Sequence, residues 1–292
     1  MRILENYNMK KHSNMKIGGE ARKFIEVENK EELPEILREN ENCFIIGNGT
    51  NTLLNDKFLD TTFISLKSLN KITDLGEGRI NVEAGLDFGK LIKYMGENDL
   101  SGLEELAGIP GTVGGLVFMN GGAYGKEIFD CIESVEILDA DKNIKVISKE
   151  NLKIDYRKTE IKENHWVIIS ANFKFEKGYK KDLVKEIQAK RENNQPLEMP
   201  NLGSTFKNPK GYFAARLIIE AGAQGLKIGG AQMSMKHPNF IVNDGTATFE
   251  DVLNLIAEVK KKVKETAGKE LIRCKGLFSS ANSETIKSLG LE

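Results

Sequence analysis

The chain has 292 residues, 40% hydrophobic and 29% charged, with 42 basic and 43 acidic side chains and a net charge of −1. That balance gives no support to a broadly basic nucleic-acid surface, and there is no run of about 18 apolar residues to span a membrane. Cys43, Cys131 and Cys274 are too scattered for a disulfide framework, and His12, His165 and His237 lie at no metal-ligand spacing, so no metal is expected.

The first residues, "MRILENYNMKKHSNMKIGG", are polar and lack the apolar core of a signal peptide, which points to a cytoplasmic protein. "KFIEVEN" alternates like a strand. In "NKEELPEILREN" a helix is expected, with Asn29 as its cap and Glu32 closing a capping box. "CFII", "TFISLK", "RINVEAG", "VEILDA", "IKVIS" and "WVIISANFKFE" read as strands, and "DFGKLIKYMGEN" as a helix among them. Ser101 and Glu104 have capping-box spacing just before a glycine-rich stretch. "KKDLVKEIQAKRENNQ" reads as a charged helical connector, and Pro196 and Pro200 follow it, so a domain boundary is expected near 195. Beyond lie the helix "GYFAARLIIEAG" closed by Gly222, the strand "NFIVND", and a long helix capped by Thr248 and Asp251. In that helix Val252, Ile256, Val259 and Val263 form an apolar stripe, and Gly268 stops it. The βα alternation is too irregular for a doubly wound sheet or a barrel, so the class is α+β.

Two loops share a logic. Gly47-Asn48-Gly49-Thr50-Asn51 follows an apolar strand and can turn its N–H groups inward on an anion. Taken alone, it reads first as an Asn-Gly turn. "AGIPGTVGGLVFMNGGAYG" matches neither the dinucleotide fingerprint nor a Walker A loop, because Gly125-Lys126 is followed by Glu127. Its fillers Ile109, Val113, Leu116, Val117, Phe118 and Met119 are apolar, unlike those of a flexible linker. Two such loops in one chain favour an extended ligand carrying a pyrophosphate.

"HSNMKIGGEA", "GNGTNTLL", "VEAG", "AGIPGTVGGLVFMNGGAYG", "DYRKT", "GSTFKNP" and "IGGAQMSMKHPNFIVNDGTATFEDV" occur in this order. With them the chain resembles the UDP-N-acetylenolpyruvoylglucosamine reductases from about His12 to Gly268, and the spacing of Arg157 and Ser204 is that of the shorter subgroup. The resemblance implies a two-lobed FAD-binding unit of the vanillyl-alcohol-oxidase type (residues 1–195, lobes about 1–72 and 73–195). An α+β substrate-binding domain (196–292) would follow. It implies that Gly47, Asn48, Gly49, Thr50 and Asn51 hold the FAD pyrophosphate. Gly85, Gly108, Gly111, Thr112, Gly114, Gly115 and Ala123 would line the flavin cleft. Arg157 and Ser204 match the catalytic Arg and Ser, and Arg191 and Asn208 match substrate-binding positions. The implied partners are the UDP-sugar enolpyruvyl ether and NADPH, with no nucleic acid and no membrane insertion, in a monomer or weak oligomer.

The implied reaction carries hydride from NADPH by way of flavin N5 to the vinyl carbon, leaving an enolate. A guanidinium such as Arg157 can stabilise that charge bidentately, and a hydroxyl such as Ser204 can protonate so basic a carbon if held close. Outside the resemblance, Arg157 reads as a surface ion-pair partner and Ser204 as a turn serine. Where the family carries a third catalytic residue, a Glu, this chain has "GKELIRCKGLF", with Cys274 in register and Glu270 four residues earlier. Asn194 stands where a basic residue is common. An impaired FAD- or UDP-sugar-binding homologue is therefore the alternative. A flavin oxidase of the same fold is a weaker one, since oxidases need a base rather than an Arg-Ser pair.

Overall fold

The computed structural model describes residues 1–273 and the backbone of Phe278–Ser279. These fold into two compact units that are discontinuous in sequence. The first comprises Met1–Glu5, Lys23–Asn48 and Thr61–Lys190; the second comprises Asn6–Arg22, Gly49–Asp60 and the chain from Arg191 onward.

The first unit is organised around a five-stranded antiparallel sheet. Its order is Ile144–Ser148, Ile132–Leu138, Val167–Lys174, Arg79–Glu83, Ile72–Gly76. Alternation along the inner strands separates two faces. Ile80, Val82, Val135, Ile137, Ile169, Ala171 and Phe173 are buried in the core. On the other face Asn81 donates to Asn172 Oδ1 (2.8 Å), Asn172 to Ser134 Oγ (2.9 Å), and Ser170 to Glu136 Oε2 (2.8 Å). Cross-strand polar pairs of this kind hold the register where no apolar packing does. The helix Val113–Met119 packs on the Val167–Lys174 strand and buries Val113, Leu116 and Val117, three of the fillers of the glycine-rich stretch. A second sheet, of four strands, has the order Arg2–Asn8, Glu20–Glu26, Leu59–Ser65, Cys43–Ile46. Its last two strands are parallel, with Cys43 opposite Thr62 and Ile46 opposite Ser65.

In the second unit the strands Asn201–Ser204, Phe240–Asn243, Ala231–Met233 and Lys227–Ile228 form a sheet in that order. The helices Ala214–Glu220 and Phe249–Ala267 pack together, and the longer one lies against the sheet. Val252, Ile256, Val259 and Val263 of the expected stripe are all buried. Both bonds of the Thr248–Asp251 capping box form, and Gly268 ends the helix at φ +62°.

One element went unmarked in the sequence, and two local expectations are corrected. The polar start is a strand, Arg2–Asn8, whose residues are mostly exposed, so it lacks the alternation that reveals strands. Asn29 precedes a single 3-10 turn and makes no side-chain cap. Ser101 ends the short strand Leu100–Ser101, and Glu104 turns its carboxylate back to the Gly102 N–H (2.7 Å) instead of closing a helix.

Candidate active site

Gly47 and Asn48 belong to the first unit. A Cβ at Gly47 would lie 2.7 Å from Thr112 Oγ1, so only glycine allows the loop this close to the glycine-rich stretch. Asn48 Nδ2 donates to Asp87 Oδ2 (3.0 Å), which leaves the amide oxygen as acceptor. That oxygen is buried and has no hydrogen-bond partner among the described residues. The other Asp87 oxygen accepts from Gly89 N (2.9 Å) and caps the helix Phe88–Glu97.

The stretch Ala84–Phe88 lies antiparallel to Gly111–Gly114. Phe88 N bonds Gly111 O (2.9 Å), Val113 N bonds Leu86 O (2.8 Å), and Gly114 N bonds Ala84 O (2.8 Å). A Cβ at Gly85 would run into Leu66 O, and one at Gly114 would lie 2.8 Å from Ala84 Cβ. These glycines are required first by the close approach of the chain to itself. Gly108 and Gly111 have positive φ, +79° and +139°. Thr112 caps the helix by accepting from Gly115 N (3.2 Å), and a Cβ at Gly115 would meet nothing nearer than 3.4 Å. Thus the fold brings Gly47, Asn48, Gly85, Gly111, Thr112, Gly114 and Gly115 into one scaffold, and Ala123 lies further on in the hairpin described next.

Arg157 sits at the tip of a hairpin in which Ile154 pairs with Thr159 and Asp155 with Lys158. Its φ is +56°, a left-handed conformation usual for glycine or asparagine and costing an arginine about 1 kcal/mol or more. Its guanidinium donates from Nη1 to Asn120 O (2.9 Å) and from Nη2 to Gly122 O, and it stacks over the Tyr156 ring at 5.0 Å. Both carbonyls are neutral, so these bonds orient the fork without cancelling its charge. Gly122 and Ala123 pair with Glu127 and Lys126 in a short hairpin.

Glu104, 1% exposed, is an unexpected anchor. Burial pushes its carboxyl up, but hydrogen bonds from Ser101 and from the N–H groups of Gly102 and Lys180 outweigh this and hold it below the usual carboxylate range.

The second unit holds Gly49, Thr50 and Asn51. Gly49 has φ +64°, and its Cβ would collide with His12 O, while its own carbonyl accepts from Asn14 N (3.0 Å). Between those two residues Ser13 is 1% exposed, and its hydroxyl has no hydrogen-bond partner among the described residues. Ser13 lies within "HSNMKIGGEA", but its burial beside the glycine loop, not its residue type, is what singles it out.

Ser204 ends the Asn201–Ser204 strand and is exposed. The ladder is irregular there, with Asn201 opposite Val242 but Ser204 opposite Phe240. Gly203 takes up the irregularity at φ +75°, and its N–H bonds Asn201 Oδ1 (2.9 Å). Asn239 brackets the next residues, accepting from Phe206 N (2.9 Å) and donating to Phe206 O (2.9 Å). Asn208 Oδ1 accepts from Ala214 N (3.0 Å) at the start of the following helix, which fixes its amide plane. Arg191 is 8% exposed in the helix Lys181–Asn194, unusually buried for an arginine. Glu270 is exposed; beyond it Ile272 O accepts from Lys207 N (2.8 Å) and Arg273 bridges Phe206. Cys274 lies outside the described residues. Among the described residues no group of His, Cys, Asp and Glu could hold a metal, and no helix is long and apolar enough to cross a membrane.

Asn48 in the first unit therefore carries a buried acceptor, and Ser13 in the second a buried hydroxyl, each suited to an outside partner. A nucleotide cofactor offers both donors and acceptors, so each of these atoms, taken within its own unit, fits one.

The FAD binding domain family matches residues 21–148, and the family described as "UDP-N-acetylenolpyruvoylglucosamine reductase, C-terminal domain" matches residues 195–273. UDP-N-acetylenolpyruvoylglucosamine reductase of Fusobacterium nucleatum is 50% identical over 273 residues, 93% of this chain and 97% of that one. The enzyme of the same name from Caldanaerobacter subterraneus is 40% identical, covering 91% of this chain and 90% of its own. The crystal structure of UDP-N-acetylenolpyruvylglucosamine reductase from Thermus caldophilus superposes with a TM-score of 0.80 at 34% identity, covering 93% of this chain and 97% of that one.

Proposed function

Since this chain belongs to the UDP-N-acetylenolpyruvoylglucosamine reductase family, we propose the parts its residues play in that family's reaction. It is an FAD-containing oxidoreductase that uses NADPH to reduce the enolpyruvyl ether of a UDP-sugar to UDP-N-acetylmuramate for peptidoglycan. The observation that carries this is the likeness to the Fusobacterium enzyme over nearly the full length of both chains. Bound FAD supplies the two-electron relay between NADPH and the vinyl group.

We assign cofactor binding to about residues 1–195 and substrate binding to 196–292, in line with the two family matches at 21–148 and 195–273. Gly47 to Asn51 bind the pyrophosphate with backbone N–H groups, and Asn48 Oδ1 accepts from the cofactor. Gly85, Gly108, Gly111, Thr112, Gly114, Gly115 and Ala123 shape the flavin cleft. Arg157 holds the substrate carboxylate and stabilises the enolate formed when hydride reaches the vinyl carbon, because its guanidinium stays charged and is already oriented. Ser204 then gives its hydroxyl proton to the enolate carbon, and its exposure lets it regain a proton from solvent. Arg191 and Asn208 bind the UDP-sugar. NADPH and the UDP-sugar are too highly charged to cross a membrane unaided, so we place the enzyme with them in the cytoplasm.

Purified protein should be yellow, and anaerobic NADPH should bleach it. Colour should return when the enolpyruvyl UDP-sugar is added, with one product formed per flavin. A colourless protein that FAD cannot reconstitute would overturn this reading.

A further inference from the structure

Asn120 follows the helix Val113–Met119 and is 0% exposed. Its φ of +44° is left-handed, a conformation asparagine tolerates better than most residues. Its side-chain nitrogen donates to Glu127 Oε2 (2.6 Å) and to Asp155 O (3.2 Å). Both of those atoms accept only, so the donor end of the amide must face them. Its backbone carbonyl accepts from Arg157 Nη1 (2.9 Å). The second carbonyl on Arg157 belongs to Gly122, which pairs with Glu127. Glu127 is held in turn by its N–H to Asp130 Oδ2 (2.9 Å).

One buried amide thus ties together three segments that fix the guanidinium. It grips the hairpin that bears Arg157 through Asp155. It grips the Gly122 hairpin through Glu127. Its own left-handed turn points its carbonyl at Arg157. We infer that Asn120 is the positioning residue for Arg157, setting the aim of the guanidinium without touching substrate. This rests on the reading that Arg157 stabilises the enolate.

The test is Asn120→Gly, which keeps the left-handed turn and deletes the amide, measured in the wild-type and Arg157→Lys backgrounds. In the wild type, kcat for substrate reduction should fall about 10- to 100-fold, as expected when a fixed charge is misplaced by roughly an ångström. FAD affinity and the rate of flavin reduction by NADPH should stay within about twofold. In the Arg157→Lys background the same change should cost less than about threefold, because contacting residues that act as a unit are not additive. Wild-type kcat in Asn120→Gly, or equal losses in both backgrounds, would overturn the inference. Near-normal turnover in Arg157→Lys alone would instead sink the premise. If Asn120→Gly fails to bind FAD or to melt cooperatively, Glu127→Ala carries the test in its place. It leaves Asn120 intact but removes its tightest acceptor, and it is judged by the same loss and the same non-additivity.

Discussion

The hairpin tip that carries Arg157 is fastened by backbone carbonyls of Asn120 and Gly122, while the strand end that carries Ser204 is exposed and held by side-chain amides at Asn201 and Asn239. A charge that must face a developing enolate is most effective when its orientation is settled in advance, since reorganising it during reaction costs free energy. A proton donor has a second requirement: it must be replenished, and that needs access to water. A fastened, half-buried arginine in one region and a supported, exposed serine in the other suit the two tasks proposed for them.

The largest effect expected is from Ser204→Ala. Turnover should fall about 10²- to 10⁴-fold, the usual worth of a placed proton donor. Stopped-flow reduction of the flavin by NADPH should stay nearly unchanged, and if both half-reactions fell together the proton-donor role would be wrong. Arg157→Lys should cost about 10²-fold in kcat, since a point charge cannot reproduce a fork held on two carbonyls.

Next is Glu104→Gln, which tests whether the first unit depends on its buried carboxylate. Replacing an acceptor of several N–H and O–H bonds should lower stability by about 1–3 kcal/mol in urea melts. The folded Glu104 carboxyl lies below its ordinary range, so its contribution is complete above the unfolded value of about 4.3 and drains as pH falls through the folded value. The glutamine variant should therefore show a flatter acid limb than wild type; an identical limb would count against this role.

The smallest effects separate the two mountings by glycine. A Cβ at Gly122 would lie 2.5 Å from Lys126 O, so Gly122→Ala should push the hairpin apart, lowering stability by about 1–3 kcal/mol and turnover with it. At Gly203 nothing lies within 4 Å and only the positive φ is strained, so Gly203→Ala should cost about 1 kcal/mol. Equal thermal shifts for the two would erase the contrast.

Much of this was legible in the chain. The Thr248–Asp251 capping box, the stripe from Val252 to Val263 and the β-branched strands are local signals, and they produced the expected elements. Other signals were misread where tertiary partners intervened. Glu104 has capping-box spacing from Ser101 but turns to Gly102 and Lys180, because a buried carboxylate takes whatever donors the fold presents. The glycines looked like surfaces for a ligand, yet Gly47, Gly49, Gly85 and Gly114 are each required by contact with the protein's own atoms. Ser13 and Asn120 lie within the family's ordered motifs, yet residue type does not single them out, since burial and left-handed geometry are not written in it.

The sequence by itself determined the family and its cofactor and pointed to the loops, the arginine and the serine proposed above, because ordered motifs and local propensities are properties of the chain. Only the tertiary structure decided how those side chains are held. The bonds from Arg157 to Asn120 and Gly122 and the bracket of Asn239 on Phe206 span more than 30 residues each. Contacts that distant in sequence depend on packing, not on pattern.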